Sequence, residues 1–336
     1  MTTATHANPR RALICGSLAY DTIMVFPGRF AEHILPDKIH MLNVSFLVPE
    51  LRREFGGCAG NIAYNLHLLG DAGYAMATAG RDFDAYAQWM TRIGVPRDYI
   101  RVIETEHTAQ AFITTDRDDN QITAFHPGAM QHAHVNRVGD ARDIAIGIVA
   151  PDGRQGMIEH AAEFAAAGIP FIFDPGQGLP MFEAADLARF VAQATWVAVN
   201  DYEWQLMQQK TGWSVRALLE QVRALIVTRG TEGSVIYTSK GEFTIPCATP
   251  RAVVDPTGCG DAYRAGLIHG LIHDLGWETT GRIASLMGAL KIEVRGTQNH
   301  RFSADEFAER FRASFGMPLP AAHAPDRSAR TLSAVT

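Results

Sequence analysis

The seven residues Asp255-Pro256-Thr257-Gly258-Cys259-Gly260-Asp261 hold two carboxylates, two glycines, a proline and a threonine. That composition breaks any regular period and predicts a loop. From Ala262 onward, Leu267, Leu271 and Leu275 recur four apart and predict a helix opening directly out of the loop. A turn that runs into a helix leaves several N–H groups without acceptors, at the positive end of the helix dipole. Such a turn is a site for an anion. Asp261, in the first turn of the helix, would repel that anion unless the acid is there to take a proton. A carboxylate base beside an amide cradle is what phosphoryl transfer to a hydroxyl needs. On this stretch alone, an acid that merely favours the helix dipole is an equal alternative.

Other polar residues fall where a site would draw on them. Glu54-Phe55-Gly56-Gly57-Cys58-Ala59-Gly60-Asn61 is a second glycine-rich turn, running into Ile62, Leu66 and Leu69 at helical spacing and closed by Gly70. It lets a ligand approach the backbone, or it lets a helix pack tightly on a strand. Asn200 and Glu203 face the same way at a helix start, as a capping box or as a water-mediated Mg²⁺ site. Thr228-Arg229-Gly230-Thr231-Glu232-Gly233 suits a nucleotide phosphate or ribose, or a plain turn. His269 and His273 are four apart, but no third ligand accompanies them, so a metal there is not expected. Gly16-Ser17-Leu18-Ala19 lacks the glycines of a dinucleotide fingerprint, and no G-x-S-x-G elbow or Walker sequence occurs.

The elements that must position these residues read as α/β. Strands at Ala12–Cys15, Tyr74–Ala79, Ile144–Ala150, Phe171–Phe173, Trp196–Val199, Leu225–Val227 and Val235–Tyr237 alternate with helical segments, which predicts a parallel sheet covered on both faces. Asp174, Asn200 and Thr228 each follow a strand, at the carboxyl edge where such sheets bind ligands. Thr22 to Glu54, with β-prone Ile23–Phe26 and Val44–Val48, predicts a small antiparallel excursion; the hairpin Ala109–Thr115 and Ile122–Phe125 adds to it.

The chain has 336 residues, 47% of them apolar, enough for a large core. A net charge of −6 without any Lys/Arg run excludes a nucleic-acid surface, and no apolar run reaches membrane length. Residues 1–10 lack an apolar segment, and Pro318 to Thr336 reads as a disordered tail. Cys15, Cys58, Cys247 and Cys259 show no paired spacing and predict reduced thiols in a cytoplasmic protein.

The two glycine-rich turns, about two hundred residues apart, resemble the paired signatures of the PfkB (ribokinase-like) kinases, with Asp21, Asn200/Glu203 and Thr228/Gly230/Gly233 in the expected order. The resemblance runs from about Ala12 to Phe315 and implies a three-layer α/β/α domain over 11–317, with a mainly parallel sheet. A β-rich lid would come from roughly 22–54 and 107–127. It implies ATP as donor, Asp261 as the base, and Gly258, Cys259 and Gly260 amides as an anion hole. Asp21, Gly56, Gly57 and Asn61 would bind the sugar. Asn200, Thr228, Gly230 and Gly233 would lie along ATP, and Glu203 would hold Mg²⁺ through water. A monovalent cation beside Asp255 and the Ala289 to Gly296 stretch is a further candidate by the same analogy. Cys259 and Pro256 depart from the alanine and threonine common in the family, and Pro256 has no N–H to donate.

For the acceptor, the lid segments carry Phe26, Phe30, Phe46, Phe112 and Phe125, against Arg29, Lys38, Arg52, Arg53 and Arg117. Aromatic lining suits a purine better than a second phosphate; the alternative is that the rings pack the lid against itself. Ala111 to Met130 is similar to the adenosine and nucleoside kinase branch, with Phe112 beside the substrate. The expectation is 5′-phosphorylation of a purine nucleoside, adenosine first, by a monomer or homodimer. A kinase of ribose, fructose or a sugar phosphate, and a catalytically silent nucleoside-binding protein, remain open.

Overall fold

The computed structural model describes residues 11–34, 44–118 and 120–320. In chain order the strands are β1 (Arg11–Cys15), β2 (Ala19–Val25), β3 (Glu50–Gly56), β4 (Ala72–Gly80), β5 (Ile100–Ile103), β6 (Ala109–Thr115), β7 (Gln121–His126), β8 (Ile144–Val149), β9 (Phe171–Phe173), β10 (Trp196–Asn200), β11 (Ala224–Thr228), β12 (Ser234–Thr238) and β13 (Gly241–Ile245). The helices are α1 (Phe30–His33), α2 (Cys58–Leu68), α3 (Asp84–Ile93), α4 (Arg154–Ala167), α5 (Ala184–Gln193), α6 (Asp201–Thr211), α7 (Val215–Leu219), α8 (Cys259–Ile272), α9 (Trp277–Ile292) and α10 (Ala304–Phe315).

Nine strands form one sheet in the order β13-β12-β11-β10-β9-β8-β1-β4-β5. Its members from β11 to β5 run parallel, and β12 and β13 continue it antiparallel at one edge. The strands are apolar on both faces because helices cover both. Ala12 and Ile14 of β1 point into a core shared with α2, α3 and α8, while Leu13 and Cys15 point into one shared with α4, α5 and α6. This is the three-layer arrangement expected. β5 and β13 escaped the sequence reading because they are short and largely exposed.

A second sheet, β3-β2-β6-β7, stands apart from the first. It is mixed: β2 pairs β3 antiparallel but β6 in parallel, so the excursion is not purely antiparallel. Val44–Val48 is not a strand; the strand is Glu50–Gly56, whose alternating charges conceal it. Phe26, Phe30 and Phe46 cluster at centroid separations of 4.8 to 5.9 Å, so these three rings pack the small sheet's own flank. Leu319 is buried against α9 and α10, so the chain is packed one residue beyond Pro318. Residues 321–336, residues 1–10 and Lys38 lie outside the described residues. Among the described residues no helix is long and apolar enough to cross a membrane.

Candidate active site

Asp174, Asn200 and Thr228 stand at the carboxyl ends of β9, β10 and β11, adjacent strands of the large sheet. They open onto a cavity of about 670 Å³. Glu203, Gly230, Gly233 and the Gly258-Cys259-Gly260-Asp261 turn line it as well, so the whole expected ATP and anion-hole set converges on one space. Pro250, Val253, Ala289, Ile292 and Tyr202 give it apolar walls. Arg229 does not enter it; its guanidinium donates to the Tyr237 hydroxyl at 3.0 Å. Gly233 is required by packing, since it has φ +83° and a Cβ there would meet the Ile245 carbonyl oxygen at 2.1 Å.

The turn is held by Asp255. Its Oδ1 accepts from Thr257 N–H and its Oδ2 from Gly296 N–H, both at 2.9 Å. Gly258 is left-handed at φ +80°, and a Cβ would press on Thr297 at 3.1 Å. The first-turn amides of α8 have no acceptor within the helix. Cys259 N–H, one of the three expected donors, instead closes onto the Pro256 carbonyl at 3.2 Å. At Gly260 an added Cβ would meet nothing within 4 Å; it would stand in the cavity.

Asp261 faces the cavity on one side and accepts from Asn61 Nδ2 at 2.8 Å on the other. The orientation of Asn61 follows from Trp89. An indole N–H only donates, and it donates to Gln298 Oε1 at 3.0 Å. Gln298 Nε2 must then donate to Asn61 Oδ1, also at 3.0 Å, which turns the Asn61 amide nitrogen toward Asp261. Gln298 also donates to the Tyr86 hydroxyl at 2.6 Å and is buried. Burial pushes Asp261 up to about 6; Asp174 adds to the rise, while Asn61 and Arg264 oppose it. Nothing in the sequence pointed to Gln298 or Trp89, because their partners lie 237 and 209 residues away along the chain.

Asp21, Gly56, Gly57, Asn61 and Phe112 do not line the cavity. Asp21 is pushed up to about 6 by burial, then by the negative charges of Asp255 and Glu54. Gly56 makes room for it: a Cβ at Gly56 would meet Asp21 Oδ2 at 2.8 Å. Gly57 is explained by packing, with φ +85° and backbone atoms of Ser17, Leu18 and Ala19 within 2.7 Å of where a Cβ would stand. Strand register sets Phe112 apart from Asp21. Asp21 pairs with Ala111, and Ala111 with Phe125, so these share one face of the small sheet; Phe112 pairs with Thr22 on the other. Phe125, 53% exposed, is the aromatic ring on the Asp21 face.

Asn200 and Glu203 form the capping box, with reciprocal bonds of 2.7 Å between side chains and backbone N–H groups. Glu203 is nonetheless raised by burial and by Asp174, a surplus of negative charge that a divalent cation held through water fits. Arg264, one turn beyond Asp261, is buried and makes a two-bond pair with Asp174 at 3.0 and 3.2 Å. Burial disfavours its charge, but Asp174 and Glu203 outweigh that. The missing third partner of His269 and His273 is Asp71, which accepts from both at 2.6 and 2.8 Å, at the far end of α8 from Asp261.

Residues 18–303 match the PfkB family of carbohydrate kinases. The chain belongs to that family. It is a phosphotransferase with the ribokinase-like fold. A nucleoside kinase of Methanocaldococcus jannaschii is 31% identical over 270 residues, covering 80% of this chain and 89% of that protein. The structure of Burkholderia thailandensis nucleoside kinase in complex with inosine is 53% identical, covers 91% of this chain and 99% of that one, and superposes with a TM-score of 0.84. The same enzyme in complex with ADP-inosine is 55% identical, with coverages of 91% and 97% and a TM-score of 0.81.

Proposed function

We propose that this kinase transfers the γ-phosphoryl group of ATP to the 5′-hydroxyl of a purine nucleoside, with Asp261 as the general base. The observation that carries the reading is the position of Asp261, between the cavity that gathers the nucleotide-side residues and the Asn61 side chain of the sugar side. Ionised Asp261 takes the hydroxyl proton as the oxygen attacks the γ-phosphorus, and the bond to the β–γ bridging oxygen breaks to release ADP. The amides of Gly258 and Gly260 meet the charge that develops on the migrating group, and Cys259 joins them if its N–H leaves Pro256. Asp21 accepts from ribose hydroxyls, and Thr228 and Gly230 lie along the nucleotide. Mg²⁺, held through water by Glu203, would neutralise phosphate charge. The small sheet serves as the lid that excludes water.

A purine is favoured over a sugar phosphate because three of the lid cations are already paired with lid or neighbouring carboxylates. Arg29 pairs with Asp118 at 3.0 Å, Arg53 with Asp82 at 3.1 Å and Arg52 with Glu54 at 3.6 Å. The inosine complex of the 53% identical relative supports inosine as the leading acceptor, ahead of adenosine. Phe125 is the stacking ring in this reading. The test is ADP release with Mg-ATP against inosine, guanosine, adenosine, cytidine, ribose, fructose and fructose 6-phosphate. Turnover concentrated on the purine nucleosides is expected. Turnover confined to ribose or a hexose would overturn the acceptor while leaving Asp261 in place, and nucleoside binding without turnover would overturn the reaction.

A further inference from the structure

Lys291 lies in the last turn of α9 and is fully buried. Its Nζ donates to two backbone carbonyl oxygens, Asp255 O at 2.7 Å and Val294 O at 3.1 Å, and lies 4.0 Å from Asp255 Oδ2. Burying an ammonium on carbonyls, with its carboxylate beyond hydrogen-bonding reach, is costly. Burial lowers its pKa accordingly, against the pull of Asp255. Carbonyl oxygens backed by a carboxylate, at the negative end of a helix, are the surroundings in which proteins seat bare monovalent cations.

The two carbonyls belong to segments that the site needs in register. Asp255 opens the phosphoryl-binding turn, and its N–H donates to Ile292 O at 3.1 Å. Its carboxylate ties the turn to Gly296 and Thr257. Val294 follows α9, between the Ile292 and Gly296 anchors. One ammonium therefore fastens the start of the turn to the end of α9.

We propose that the Lys291 ammonium is a resident monovalent cation, which holds the phosphoryl-binding turn in place and makes turnover independent of added potassium or ammonium ions. Lys291 is a positioning residue, and the proposal rests on the assignment of Gly258 to Gly260 as the phosphoryl cradle.

The experiment uses the full chain with inosine and Mg-ATP, in tetramethylammonium buffer, whose cation is too bulky for the seat. Wild-type turnover should be the same, to within about twofold, when K⁺ or NH₄⁺ is added, because the seat is taken. Lys291→Ala should lose roughly 10- to 100-fold in kcat, the scale of a small misplacement of reacting groups, with little change in the nucleoside KM. Added K⁺, NH₄⁺ or methylammonium should restore roughly tenfold of that loss by entering the vacated seat. Lys291→Met, which fills the seat with an uncharged chain, should lose as much and not be rescued. Strong stimulation of the wild type by K⁺ overturns the proposal, as does a folded Lys291→Ala enzyme that no cation rescues. Should Lys291→Ala fail to fold, the wild-type comparison alone decides. Gly260→Ala, assayed alongside, separates the two readings: near-normal turnover in it would sink the cradle assignment itself, whereas a Gly260→Ala enzyme of roughly 100-fold lower kcat with a K⁺-dependent wild type sinks only the role of Lys291.

Discussion

Gly260→Ala sets stability against activity at a single methyl group. Gly260 is the second residue of α8, its φ is not in the left-handed region, and a Cβ there touches nothing within 4 Å. A glycine to alanine change at a compatible helical position stabilises by about 0.4–1 kcal/mol, chiefly by restricting the unfolded chain. For a chain of this size that corresponds to a rise in Tm of about 0.5–1.5 °C. The space the methyl takes, however, is the cavity in front of the α8 amides, where the migrating phosphoryl group would sit. Displacing that group from one donor costs about 10²–10³ in kcat. Steady-state kinetics with inosine and Mg-ATP, beside thermal unfolding of the same preparation, should therefore show a fall in kcat of roughly 100-fold and a Tm no lower than that of the wild type. Nucleoside binding by calorimetry should persist, since the sugar side is untouched. The opposite signs exclude loss of folding as the cause. Near-normal kcat in Gly260→Ala would refute the reasoning, because a cradle that tolerates a methyl group at its centre is not where the phosphoryl group passes.

Asp261 should impose an acid limb near pH 6 on kcat, because burial holds its pKa there and only the carboxylate acts as base. A flat profile between pH 5 and 7 would remove it from the chemistry. The same raised pKa means the fold prefers the neutral acid: the destabilising contribution enters as pH rises from the unfolded value of 3.8 to about 6. Asp261→Asn should thus unfold at higher temperature than the wild type at pH 8, with the difference vanishing toward pH 4, and should lose nearly all turnover at every pH. Gln298→Leu removes the bond that aims Asn61 at Asp261. Since that Asn61 bond lowers the Asp261 pKa, the variant's acid limb should move to higher pH as kcat falls, and an unmoved limb would reduce Gln298 to a packing role. Phe125→Ala should raise the inosine KM roughly tenfold or more, on the scale of a lost base stack, whereas Phe112→Ala should change it little; the reverse ranking would overturn the register argument.

What could be read from the sequence depended on how locally each feature is encoded. The large sheet was legible because strands buried on both faces are apolar runs, and Phe171–Phe173 was placed to the residue. The small sheet was not, because a half-exposed sheet puts Glu50, Arg52, Arg53 and Glu54 on a strand, and because its parallel β2–β6 pairing joins residues ninety apart along the chain. The same division runs through the site. The Gly258 to Asp261 turn announces itself, since a left-handed glycine and a helix start are local requirements. Phe112 is ambiguous in sequence because composition names an aromatic ring but not the face of a strand it occupies, which pairing with Thr22 rather than Asp21 decides. Arg264 carried a readable signal, a charge one turn from Asp261 in an otherwise apolar helix, and only the fold supplied Asp174 to explain it. Gln298 and Trp89 carried none. Their contribution is the direction of one amide, and a direction exists only once four side chains from distant segments share a hydrogen-bond chain whose one fixed donor is an indole. The residues that set the pKa of a base are thus less visible in sequence than the base, because electrostatic tuning acts through space while turns and caps act through neighbours.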